Sequence, residues 1–134
     1  MATDTGINFI SVHLVDVNFK VNRKFKTPKD GIPVEIDFTV KHTFSKDKKI
    51  LNTILSASLF QKMANRPFSM TVSVEGTFAG DAPDKLKSFS HVHAPAHLLP
   101  FVREIIGNAT MKAGIPPLLL PPINMHEALS TKVK

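Results

Sequence analysis

Residues 95–125, PAHLLPFVREIIGNATMKAGIPPLLLPPINM, join an amphipathic helical pattern to a segment that cannot be helical. Leu98, Val102, Ile105, Ala109 and Ala113 recur at steps of three and four, and Leu99 and Ile106 widen the stripe. Arg103, Glu104, Asn108 and Lys112 fall mostly on the other side. The spacing predicts a helix over residues 97–113, with Pro100 in its first turn, where the missing N–H has no intrahelical partner anyway. Gly114 can take the left-handed conformation that ends a helix, and Pro116-Pro117 prevent it from resuming. Residues 115–123 then hold four prolines in nine positions and no charge. Such a strap is too short and too proline-broken to span a bilayer. It has to lie extended on an apolar surface, either as a fixed cover over a small core or as a flap over a groove, and it carries no catalytic side chain.

The preceding residues read as strands. Between residues 33 and 44, Val34, Ile36, Phe38, Val40 and Phe44 alternate with polar positions. Phe68, Met70, Val72, Val74 and Phe78 do the same against Ser69, Thr71, Ser73, Glu75 and Thr77. Residues 50–60 are apolar on both faces, as suits an inner strand or one at a subunit contact. Residues 45–49 and 62–67 are turn-sized, so these three strands form an antiparallel meander. The first strand, residues 7–21, changes phase: Ile10, Val12 and Leu14 share one face, whereas Val15, Val17, Phe19 and Val21 share the other. A bulge near Leu14-Val15 would reconcile the two. After Gly80 a short helix is expected over residues 82–93, capped by Asp81 or Asp84. Four strands and then helices make an α+β layout, with the helices on one sheet face.

A chain of 134 residues is expected to form one domain. It contains no cysteine, so disulfides and thiolate metal sites are excluded. All ten aromatic residues are phenylalanine, which leaves few groups that prefer to stack on bases or sugars. The net charge of +6 gathers in two loops, one with Lys20, Arg23, Lys24, Lys26 and Lys29, the other with Lys46, Lys48 and Lys49. Solvated loops account for this, with an anionic partner, nucleic acid included, as the alternative. His91, His93 and His97, and separately His126-Glu127, offer imidazoles, but at spacings unlike the His-Glu-x-x-His helix of zinc peptidases. There is no Gly-x-Ser-x-Gly, and the six glycines are dispersed. No enzyme chemistry, metal or cofactor is expected. The polar start at residues 1–6 lacks a leader pattern, which suggests a cytoplasmic protein.

LLPFVREII at 98–106 with AGIPPLLLPPINM at 113–125 resembles the SecB export-chaperone family, whose pattern is aromatic-P-[YF]-x-R-E followed by G-x-[PF]-P-x-x-L-x-P-V-N-F. Pro100, Phe101, Arg103, Glu104, Gly114, Pro117, Leu120, Pro122 and Asn124 stand at the matching positions. INFISVHLVDVNF at 7–19 is similar to the family's opening strand. The resemblance implies a four-stranded antiparallel sheet followed by two helices packed on one face. It further implies a homotetramer, a dimer of dimers with the helices sandwiched between sheets. Its activity would be ATP-independent holding of unfolded polypeptides, such as preproteins kept competent for export, in an apolar groove. That groove would draw on Val34, Ile36, Phe38, Phe68, Met70 and Val72 from the strands. The helical half would add Phe89, Val92, Leu98, Leu99 and Phe101, and the strap Ile115, Leu118, Leu119 and Leu120. The family docks the SecA motor through acidic residues on its sheet; here Asp16 is kept, but Lys20 and Thr71 stand where carboxylates are expected. The sequence ends at Lys134, before most of the family's last helix and tail, so holding of clients is expected more than delivery to the motor. SecB-like chaperones of toxin–antitoxin systems lose the same features, and an antitoxin is the alternative client.

Overall fold

The computed structural model describes residues 6–26, 29 and 34–115, with the side chain of Val92 left out. Four strands precede one helix: β1 (Ile7–Val21), β2 (Ile36–Phe44), β3 (Ile50–Leu59), β4 (Phe68–Gly80) and α1 (Pro83–Lys112). The sheet is antiparallel throughout in the order β1-β4-β3-β2, so β2, β3 and β4 form the expected meander and β1 adds outside β4. The expected α+β layout, a four-stranded antiparallel sheet followed by helix packed on one of its faces, is the one observed.

The phase change in β1 resolves as a bulge at the expected place. The β1–β4 ladder slips between Leu14 and Asp16, and again between Phe9 and Ser11, so that Val15 and Ile10 lose their partners. The two slips bring Phe9, Val12, Leu14, Val17, Phe19 and Val21 opposite Phe78, Gly76, Val74, Val72, Met70 and Phe68. Partners across a ladder share a face, so these six residues of β1 lie on the helix side of the sheet. The turn from β2 to β3 closes with Ser45 N–H donating to the Ile50 carbonyl at 2.9 Å, and Lys48 takes a left-handed φ of 61°.

The helical expectations need correction in three respects. Both stretches, 82–93 and 97–113, are helical, but they run into one another as a single thirty-residue α1. Pro95 and Pro100 therefore sit inside the helix, and Pro100 is not in a first turn. Each forfeits a hydrogen bond to the carbonyl four residues back, at a cost of about 3 kcal/mol or more. Nor does any side chain cap the start: the N-cap is Ala82, and the start is marked by Pro83 and by Asp84 in the first turn. What carries the helix across both prolines is packing. Leu86, Ser90, Ala94, Leu98, Val102 and Ile106, one every fourth residue, are all buried, and Ser90 satisfies its hydroxyl on the Lys87 carbonyl at 2.6 Å. The helix ends as expected. Gly114 has φ 77°, its N–H donates to the Met111 carbonyl, and Ile115 N–H reaches the Thr110 carbonyl, both at 3.1 Å. This pair of bonds is a Schellman motif.

Helix and sheet meet most closely at Gly76 of β4. A Cβ added there would lie 2.5 Å from Leu98 Cδ2 and 3.2 Å from Phe78 Cε2. Leu98 is fully buried, so its displacement passes on to its neighbours. Gly76→Ala should destabilise the fold by about 1–3 kcal/mol through overpacking, and Leu98→Ala by about 2–5 kcal/mol through a cavity. The double variant should lose clearly less than the sum, since each change relieves the other. Urea unfolding of all four proteins at one protein concentration measures the coupling, and additivity would show that the contact is not tight.

Candidate functional site

Adjacent strands are spaced by about 4.8 Å, whereas a helix with its side chains is only about 10–12 Å wide. One helix therefore covers about two strands of four. Here α1 packs on β4 and β3 and reaches β1 through Phe9, whose ring lies 6.3 Å from Phe101 and 6.0 Å from His97. On the outer strand β1 the helix-side residues Leu14 and Val17 remain 53% and 45% exposed, far from core values. Val21 is exposed beside them, as are the bulged Ile10 and Val15. On the other edge Val34 is exposed, and Ile36, Val40 and Phe44 are only half-buried against the core. The helix side of the sheet thus offers two apolar shelves, one on each flank of α1. Further apolar surface comes from Phe101 and Met111 on α1 itself.

The residues that the family resemblance assigned to a groove divide sharply in this setting. Val34 and Phe101 are exposed, and Ile36, Phe89 and Ile115 are half-buried. Phe38, Phe68, Met70, Val72, Leu98 and Leu99 belong to the buried core of the single chain. Phe68, for example, packs its ring 5.0 Å from Phe60 and 5.3 Å from Phe19. Val92 lies in α1, but its side chain is outside the described residues, as are Leu118, Leu119 and Leu120. The shelf on β1 was missed by sequence reasoning. Its alternation was legible, but alternation tells only which face a residue takes, not whether anything covers that face.

The polar candidates have separate fates. Asp16 and Lys20 are exposed on the outer face of the sheet, opposite Ser73 and Ser69. His93 and His97 pack as rings: Phe89 lies 5.6 Å from His93 and 5.5 Å from His97, and Phe78 is 5.9 Å from His97. His97 Nδ1 lies 2.8 Å from the His93 carbonyl oxygen, which suits a proton on Nδ1. Among the described residues no group of three or more His, Asp or Glu is placed to hold a metal ion, and His126 and Glu127 lie outside them. No helix of the described residues is long and apolar enough to cross a membrane.

One titrating group lies within the helix–sheet layer. His42 of β2 is half-buried, with Nδ1 3.0 Å from the hydroxyl of the buried Thr53. Burial, and then the charge of His91 on α1, hold its pKa below the usual 6.5. The folded state therefore favours the neutral ring. Its contribution to stability is complete above about pH 6.5 and is lost as the pH falls toward the lower folded-state value. Thermal unfolding at pH 7.5 and at pH 5.5 should show a drop in midpoint that is smaller in His42→Gln than in the natural chain, and equal drops would exclude the effect.

The SecB family, described as preprotein translocase subunit SecB, matches residues 3–134. An uncharacterized protein of Methanocaldococcus jannaschii is 31% identical over 121 residues, covering 88% of this chain and 77% of that protein. The protein-export protein SecB of Mesorhizobium japonicum is 24% identical over 137 residues, covering 96% of this chain and 80% of its own length. Among solved structures, the SecB-like chaperone of Mycobacterium tuberculosis in complex with a ChAD peptide from an antitoxin superposes with a TM-score of 0.71 at 15% identity, covering 89% of this chain and 88% of that one. That likeness is one of fold, and the family match over nearly the whole length establishes that this chain belongs to the SecB family.

Proposed function

We propose that this chain is an ATP-independent holding chaperone that captures unfolded polypeptides on apolar surface left open beside α1. The observation that carries the reading is the width mismatch, which leaves aliphatic side chains of both edge strands uncovered by the helix. Such side chains bind without strict hydrogen-bond geometry, as a partner for many sequences requires. Each one that a client buries is worth about 1.5–3 kcal/mol at most, and ordering the client offsets much of that, so holding takes several contacts along a continuous track. The two flanks have different uses. β1 is a fifteen-residue edge strand with exposed aliphatic groups along it, a surface that would aggregate unless paired. It joins a second copy in a dimer, and two dimers pack with their helices inward, against Phe101 and Met111, to give a tetramer. The β2 flank, with Val34 and Ile36, receives clients together with Ile115 and the leucines Leu118, Leu119 and Leu120.

Membership of the SecB family supports preproteins bound for export as the clients. A second reading, an antitoxin as the client, is favoured by one observation: Lys20 and Thr71 replace expected carboxylates on the sheet, which weakens the case for docking to the SecA motor. The SecB-like chaperone that this chain resembles in fold was itself solved with an antitoxin peptide, which supports the same reading.

The test is suppression of aggregation when a denatured protein is diluted into buffer without nucleotide. Val34→Asp should weaken suppression several-fold and leave the particle size unchanged. Val17→Asp should instead split the particle, as seen by sedimentation, and Lys48→Ala should do neither. Full suppression by Val34→Asp, or a natural chain that protects no better than a folded protein of equal charge, would remove the proposal.

A further inference from the structure

One row along α1 carries aromatic and imidazole rings and no fixed charge. Phe89, His93, His97 and Phe101 follow one another at steps of four, each one residue before a buried one: Ser90, Ala94, Leu98 and Val102. Residues at that spacing stack along one side of a helix, here the side toward β1. Phe89 packs against both imidazoles, and Phe9 against His97 and Phe101. His93, His97 and Phe101 nevertheless stay exposed, as do Ser88, Ala96 and Pro100 beside them. From residue 88 to residue 102, about four turns, α1 has no Asp, Glu, Lys or Arg, although such residues make up 21% of the chain. Charge returns only at the ends, with Asp84, Lys85 and Lys87 before the stretch and Arg103 and Glu104 after it. An exposed helix surface without charge and with aromatic groups has the composition of an interface core.

The order of the row selects the partner. Phe-His-His-Phe at equal steps reads the same in both directions, so a two-fold axis at the level of Pro95 lays it antiparallel on its own copy. Phe89 then meets the partner's Phe101, and His93 the partner's His97. A contact between identical subunits requires such a self-complementary patch, whereas an arbitrary client has no reason to match its register. Through Phe9 the row also runs on into the exposed aliphatic groups of β1.

The central positions of that contact are imidazoles, the side chains whose charge changes between pH 5 and 8. His97 Nδ1 is engaged by the His93 carbonyl, which leaves Nε2 to take up the second proton. Among the described residues no carboxylate faces the pair. β1 and β4 turn apolar residues and glycine toward the helix, while His13, Asp16, Lys20 and Glu75 lie on the outer face of the sheet. His91 acts on His42 of β2, on the other flank. We infer that this row is a pH-gated contact between two copies of the chain: neutral imidazoles let two α1 helices pair, and protonation of His93 and His97, which sets like charges face to face, parts them. This rests on the helix-inward assembly proposed above, to which it adds a register and a switch.

Sedimentation of the full chain without client, at one protein concentration and at pH 7.5 and 5.5, tests it. A tetramer is expected at pH 7.5 and half that mass at pH 5.5, with the helix content seen by circular dichroism unchanged. His93→Phe/His97→Phe should keep the full mass at both pH values. That variant retains His42, so any acid loss of stability there acts on both proteins alike. Ala96→Glu, exposed beside the axis, should halve the mass already at pH 7.5. A natural chain whose mass ignores pH, a double variant that halves as the natural chain does, or an Ala96→Glu chain still tetrameric at pH 7.5 would overturn the contact. A natural chain smaller than a tetramer at pH 7.5 would overturn the assembly and this inference with it, whereas aggregation suppressed by that smaller particle would leave the holding function standing.

Discussion

A helix such as α1 cannot by itself cover a four-stranded sheet, and much else among the described residues follows from that shortfall. Apart from the His42–Thr53 pair, the sheet turns an apolar layer toward α1, from Phe19 and Val17 on β1 through β4 and β3 to Ile36 and Val40 on β2. Only the middle of that layer lies under the helix. A domain that had to be soluble alone would narrow its sheet or place polar residues on the flanks. This chain keeps aliphatic residues on both flanks, which makes sense if other polypeptide is to lie there. Such a surface needs no catalytic group, and the sequence provides no motif for one.

The central contact is made as tight as the backbone allows. Gly76 lets Leu98 approach β4 where a methyl group would already collide, and a buried residue every fourth position keeps α1 on the sheet for its whole length. That continuous seam explains how the helix passes Pro95 and Pro100. Each proline weakens one turn, but the stripe on either side stays buried, so a break would expose more than it relieved. The same tightness limits what the helix can do. Another polypeptide cannot readily enter beneath it, and for that reason the proposed contact with clients lies on the flanks.

Much of this was legible in the residues. Alternation located all four strands, the phase change located a bulge in β1, and Gly114 marked the end of the helix. The join between the two helical stretches was not legible, because local rules treat a mid-helix proline as a stop, and the packing that overrides them is tertiary. The groove was legible only in part. Phe68, Met70, Val72 and Leu98 have the pattern of a client surface and equally that of a core, and they are buried in the single chain. Leu14 and Val17 carry the same pattern and are exposed, because they lie one strand beyond the reach of the helix. No property of the residues themselves separates the two groups; the position of α1 does.

The opposite face of the sheet strengthens the case for the helix side. There most residues other than Ile50, Ile54 and Ala79 are polar, and two cross-strand pairs satisfy one another: Ser56 and Ser73 hydroxyls lie 2.7 Å apart, and Thr77 donates to Asn52 at the same distance. A face of this kind gives an unfolded apolar segment nothing to bury against, and its paired hydroxyls would lose partners if they were desolvated. Asp16, Asn18 and Lys20 share a face by alternation, and the bulge at Val15 makes it this outer face. A carboxylate and an ammonium four residues apart cannot act as one acidic patch. Along this edge the outer face therefore offers no continuous acidic patch to a partner that reads negative charge.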